Sequence, residues 1–140
     1  LGVEVLFHRI SQRPGKPMWF GMGPSGQAVF ALPGNPVSTL VCARQYVVPA
    51  LTRASGQADA LPHFAVLGQD FTFSPQLTCF LPARLIANTS GQVLAMPVQT
   101  NTSGDFAALS ATDGCVELPL EQSSFPAGTV VRLHRWIAQA

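Results

Sequence analysis

Two short stretches of this chain carry groups suited to holding an anion. In Arg13-Pro14-Gly15-Lys16-Pro17, two cations bracket the turn, and prolines on both sides of Gly15-Lys16 stiffen it. Pro14-Gly15 suits the central positions of a type II turn, Pro at the first and Gly at the second. A stiff turn fixes Arg13 and Lys16 at low entropic cost, and Arg9 adds a third cation if the preceding strand is in phase. Two or three fixed positive charges suit a pyrophosphate or another multiply charged oxyanion better than a neutral ligand. The competing reading is a set of solvated surface cations on a hairpin loop.

The second stretch runs from Phe30 to Ser38, Phe-Ala-Leu-Pro-Gly-Asn-Pro-Val-Ser. Val29 to Leu32 reads as a short apolar strand that Pro33 and Gly34 stop and turn. Asn35 is a preferred N-cap, and Pro36 fits the first helical position, where its missing donor costs nothing. Ser38 falls in the first turn, among backbone donors without helical partners. A strand that turns into a helix N-terminus offers N–H groups and a positive dipole end to an oxyanion. A plain strand-to-helix connection is the alternative. A third candidate is Ser103-Gly104-Asp105, where Ser103 caps a helical turn through Phe106 and Leu109 and Asp105 stands in its first turn. That pair serves either ordinary capping or a substrate-facing role.

The elements that must position these groups fall into two kinds. Val3 to Ile10 reads as a strand with Val3, Val5, Phe7 and Arg9 alternating in phase, and Met18–Gly21 and Gln27–Leu32 as two more strands. A helix from Pro36 carries Val37, Leu40, Val41, Val47, Val48 and Leu51 at helical spacing. Pro49 should kink or interrupt it near Val48, and Gly56 should end it. Gly56 to Pro62 reads as a linker, and from His63 the pattern is all-β. Strands are expected at His63–Leu67, Gln76–Ala87, Val93–Gln99, Cys115–Leu118 and Thr129–Trp136, a spacing that suggests a small barrel or sandwich. The fold class expected is therefore a partial α/β domain, a mixed sheet with a helix, over residues 1–56. A small all-β barrel domain would follow over 57–140.

Composition narrows the function classes. Hydrophobic residues make up 47% and charged ones 11%, so there is apolar material for a core but little charge for a free surface. Such a surface suggests burial against missing parts of the chain or a second subunit. The net charge of +1 gives no reason to expect nucleic acid or anionic lipid as a partner. Through Arg53 there are five basic residues against one acid; from Ala54 on there are three against six. Cys42, Cys79 and Cys115 show no C-x-x-C, and read as buried small hydrophobes in a reducing cytoplasm. His8, His63 and His134 stand at no zinc-like spacing from them, so no protein-held metal is expected. No apolar run reaches membrane-spanning length. The chain begins at Leu1 rather than Met, which suggests that an N-terminal part is missing. There is no G-x-S-x-G, no Walker lysine and no close carboxylate pair for acid–base work. The residues alone support an anion-binding half-domain joined to a β-domain, and no reaction.

Leu32-Pro33-Gly34-Asn35-Pro36-Val37-Ser38 resembles the signature of the MoeA and gephyrin family of molybdenum insertases. Arg13-Pro14-Gly15-Lys16-Pro17 resembles that family's Lys-Pro-Gly-Lys-Pro loop, with Arg for the first Lys. Val47-Val48-Pro49-Ala50-Leu51, Ser103-Gly104-Asp105 and Asp113-Gly114 through Pro119 extend the resemblance in register. It covers the whole chain, but only the C-terminal part of a family member: the end of the third domain and the fourth, a β-barrel. The resemblance implies a molybdopterin molybdenumtransferase of the cytoplasm, acting as a dimer. Such an enzyme inserts molybdate into adenylated molybdopterin with Mg²⁺ assistance and releases AMP. Pro33, Gly34, Asn35, Pro36 and Ser38 would line the pterin pocket, Arg13 and Lys16 would hold phosphate or molybdate, and Ser103 and Asp105 would approach from the β-domain. No protein nucleophile is implied. The family's Gly-Asp-Tyr-Asp-like carboxylate motif would lie before Leu1, so this portion alone is expected to contribute ligand-binding loops rather than turnover. The alternative is a scaffolding module of the same fold, as in gephyrin's clustering role; the intact loops favour the enzyme.

Overall fold

The computed structural model describes residues 2–99 and 106–137. Four strands come first: β1 (Glu4–His8), β2 (Gln12–Arg13), β3 (Trp19–Met22) and β4 (Ala28–Ala31). β1, β3 and β4 form an antiparallel sheet in that order. The register of β3 against β4 runs from Trp19 opposite Ala31 to Met22 opposite Ala28. Gly21 to Gly26 spells G-x-G-x-x-G, but it only turns β3 into β4, closed by the Gly23 N–H on the Gln27 carbonyl at 2.8 Å. No helix follows, so the pattern lacks the geometry that binds dinucleotides. The alternation expected from Val3 to Arg9 is broken, because the β1 register slips between Val5 and Phe7. A bulge there moves every later side chain to the other face, and Arg9 then leaves the strand at φ 68°.

The helical segment forms as α1 (Pro36–Cys42), a π-helical stretch over Ala43–Val47, and α2 (Val48–Ala54). Asn35 caps α1 with extended dihedrals, and its Oδ1 accepts the Ser38 N–H at 3.1 Å. Pro49 does interrupt the regular ladder, as a widened turn. The Val48 N–H bonds the Ala43 carbonyl, five residues back. Pro49 thereby sits in the first turn of α2, where no donor is needed. Gly56, at φ 75°, ends the run: its N–H reaches Arg53 and the Gln57 N–H reaches Thr52, a Schellman closure.

The rest is mostly strand: β5 (His63–Leu67), β6 (Phe71–Thr72), β7 (Thr78–Ala87), β8 (Val93–Pro97), β9 (Gly114–Leu118), β10 (Ser124–Phe125) and β11 (Val130–Arg135), with a short α3 (Phe106–Leu109). β7 pairs with both β8 and β9, β9 with β11, β11 with β5, and β5 with β8, which closes a five-stranded barrel. Closure leaves those five strands without a free edge to aggregate. β6 and β10 form a separate two-stranded ribbon. β2 lies parallel to the start of β7, Gln12 opposite Thr78, and so ties the first half of the chain to the barrel. Among the described residues, no helix is long and apolar enough to cross a membrane.

Two cores result. Leu67, Leu81, Val116, Leu118, Phe125, Val131 and Leu133 fill the barrel. A second, smaller core lies outside it, where Val41 of α1 meets Phe80, Cys115 and Trp136. That contact explains why Cys79 to Ala83 are buried in unbroken succession. Cys79, Leu81 and Ala83 face the barrel interior, while Phe80 faces the helix.

Beside Phe80, His134 of β11 and Glu117 of β9 pair at 2.8 Å. The hydrogen bond from His134, helped by its charge and that of Arg132, holds the Glu117 carboxyl below its ordinary range against the opposing effect of burial. A depressed carboxylate contributes stability above the unfolded-state pKa, near about 4.3, and loses it as pH falls through the folded value. Urea unfolding midpoints should therefore fall less steeply below that pH in Glu117→Gln than in the parent chain.

Candidate functional site

The Arg13–Pro17 loop is built around a buried amide. Gln12, at 3% exposure, donates from Nε2 to the Pro14 carbonyl at 2.8 Å and to Cys42 Sγ at 3.6 Å, while its Oε1 accepts the Tyr46 hydroxyl. The Cys42 thiol in turn lies 3.9 Å from the Gly15 carbonyl. Burial pushes that thiol up to about 11, so it stays protonated and serves as a weak donor. Two backbone bonds close the loop, Ile10 N–H to Lys16 O at 2.9 Å and Met18 N–H to Gly15 O at 3.0 Å. The expected turn takes shape in part: Gly15 has φ 106°, as the second central residue of a type II turn requires, while the Arg13–Pro14 peptide is cis.

Arg13 and Lys16 are both exposed. The Arg13 guanidinium stands 6.0 Å from the centroid of the Phe73 ring, a cation–π contact that leans it toward the barrel. Lys16 has no ion pair among the described residues. Arg9 is exposed as well, but the bulge and its left-handed backbone separate it from the strand face the sequence suggests.

The Pro33–Ser38 turn is held from within. The Thr39 hydroxyl reaches the carbonyls of Pro33 and Asn35, and the Thr39 N–H bonds the Asn35 carbonyl at 2.8 Å. Ser38 is buried, and both its N–H and its hydroxyl point at Asn35 Oδ1, at 3.1 and 3.3 Å. Its N–H is thus not one of the partnerless donors that the sequence suggests. Gly34 is exposed, and a methyl group built there would meet nothing within 4 Å, so its backbone is open to approach. The structure puts both stretches on α1. The Pro33–Asn35 turn stands at its N-terminus, and the 13–17 loop packs against Cys42, six residues on or about 9 Å along the axis. Ser103 and Asp105 lie outside the described residues.

Sequence reading missed the groups that hold the loop. Gln12, Cys42 and Tyr46 come from separate elements, and no local pattern marks any of them. It also missed a cleft of about 490 Å³ between α2, the 59–62 segment and the end of β11, which gathers Arg44, Arg53, Arg132 and Arg135. Among the described residues no three His, Cys, Asp or Glu side chains converge on a point that could hold a metal ion. The Mg²⁺ implied by the resemblance therefore finds no fitting donor set among them.

Residues 65–136 match the model of the MoeA C-terminal region (domain IV), and residues 1–53 that of a probable molybdopterin binding domain. The chain belongs to the MoeA family. Among curated MoeA relatives, it is 40% identical over 137 residues to a molybdopterin molybdenumtransferase from Synechocystis, covering 97% of this chain and 33% of that protein. A second molybdopterin molybdenumtransferase, from Synechococcus elongatus, is 33% identical over 95% of this chain and 32% of its own length. The crystal structure of a MoeA molybdopterin biosynthesis protein from Pyrococcus horikosii superposes with a TM-score of 0.81 at 32% identity, over 99% of this chain and 33% of that one. The chain thus spans about a third of the length of the MoeA proteins it matches. The helix-and-sheet unit followed by a barrel, expected from the sequence, is the fold found.

Proposed function

We propose that this chain supplies ligand-holding loops to a molybdopterin molybdenumtransferase, an enzyme that inserts molybdate into adenylated molybdopterin and releases AMP. The observation that carries this reading is the 13–17 loop. It is a rigid, internally hydrogen-bonded turn that presents Arg13 and Lys16 to solvent from a chain of the MoeA family. A loop already ordered before binding pays little entropy to hold an anion. In this reading Lys16 and Arg13 neutralise phosphate or molybdate oxygens. The open backbone at Gly34, with Pro33, Asn35, Pro36 and Ser38, lines the pterin side. Ser103 and Asp105 approach from the barrel half. Catalysis is then positioning and charge neutralisation rather than attack by a side chain. The reading also places the division between the two units at 56/57, just past the Schellman closure, and assigns the remaining domains, a second subunit and the cytoplasm to the parent enzyme.

Adenylated molybdopterin should shift the backbone amide signals of Gly15, Lys16, Gly34 and Asn35 saturably in a ¹⁵N spectrum of the chain. Saturable shifts confined to other residues would defeat the assignment.

A further inference from the structure

We propose that the cleft between α2 and the barrel is a second anion site, one that takes a small phosphate-bearing ligand. Its lining holds four arginines, Arg44, Arg53, Arg132 and Arg135, against a single carboxylate, Asp59. That carboxylate is already spent: Arg53 grips it through Nε and an Nη nitrogen, each at 2.8 Å. The nearby Glu117 is likewise held by His134 at 2.8 Å. Arg44, Arg132 and Arg135 are left with no ion pair among the described residues.

Two buried donors in the same lining have no partner either, Arg135 Nε and Gln45 Nε2. Buried N–H groups almost always find an acceptor, and one left without costs stability. A wall of guanidinium and amide N–H groups offers donors and no free carboxylate, so the fitting ligand is rich in acceptor oxygens and negatively charged. The fork of a guanidinium matches phosphate oxygens two at a time. The volume, about 490 Å³, is that of a small-molecule site, commonly about 300–1,000 Å³. Val48, Pro49 and Leu61 add an apolar wall on which the organic part of a phosphate ester can rest. The lining is separate from the loop around Lys16 and shares none of the residues of the Pro33–Ser38 turn. It therefore stands whether or not those loops hold molybdopterin.

Inorganic pyrophosphate, added at constant ionic strength, is the probe, followed through the arginine Nε–H signals of the chain. The expected result is a saturable shift of the signals that disappear from the spectra of Arg132→Gln and Arg135→Gln. Each variant should weaken the affinity read at the remaining cleft signals by about tenfold or more, as loss of a charge-assisted bidentate contact requires. Arg132 is exposed, so its variant folds even if Arg135→Gln does not. The proposal is overturned if the cleft arginines do not respond, or if the response is confined to Arg13 of the 13–17 loop. It is equally overturned if Arg132→Gln binds as tightly as the parent chain.

Discussion

Replacing Gly15 with alanine is expected to destabilise the fold by about 2–5 kcal/mol, because two costs add. The residue sits at φ 106°, where an L side chain is strained. The added methyl would also stand 2.5 Å from Gln12 Nε2 and 2.6 Å from Cys42 Sγ, both buried and both already bonded. Neither can retreat cheaply. Gln12 is held on three sides by Pro14, Cys42 and Tyr46, and Cys42 is fully buried on α1. The control is Gly34→Ala, at a glycine without positive φ and with nothing within 4 Å of the new methyl. It should stay within about 0.5 kcal/mol of the parent. Urea unfolding of the three proteins checks this, and equal losses at the two glycines would mean that the Gln12–Cys42 seat is not what orders the loop.

Phe80→Ala should cost about 3–5 kcal/mol, the range for a buried aromatic truncated where neighbours cannot close the cavity. Phe80 is 5% exposed although it points out of the barrel, because Val41 of α1, Cys115 and Trp136 enclose it and His134 packs edge-on at 5.8 Å. The loss would fall on the contact that joins helix to barrel. Phe64→Ala on β5, at 56% exposure, changes the same residue type on the same barrel and should cost far less. Denaturant midpoints decide the matter. Similar losses at both positions would show that the helix does not seal the outer face.

Much of this was legible because it is written in local chemistry. The alternation of Val131 and Leu133 with Arg132 and His134, the Asn35-Pro36 start and the Gly56 stop each dictate a backbone within a few residues. Pro49 announced an irregularity in the same way, although the sequence could not say that a widened turn would absorb it. The elements that escaped are short or depend on distant partners. β2, β6 and β10 are two residues each, too short to carry a period, and exist because of the strands they meet. The bulge at Leu6 is set by pairing with β3, so the phase of Arg9 could not be read from spacing. The same division runs through the candidate site. Gly and Pro marked both loops, whereas the Gln12–Cys42–Tyr46 seat and the arginine cleft join residues that only folding brings together. Arg44 and Arg135 of that cleft come from the helical segment and the last strand.

The central claim is that the rigid 13–17 loop holds an anionic ligand through Lys16. It is tested most directly by calorimetric titration of adenylated molybdopterin into the chain and into Lys16→Ala. The account predicts saturable binding that the variant weakens by about 1 kcal/mol or more, the scale of a charge-assisted hydrogen bond. Saturable binding of equal strength to both proteins would contradict it.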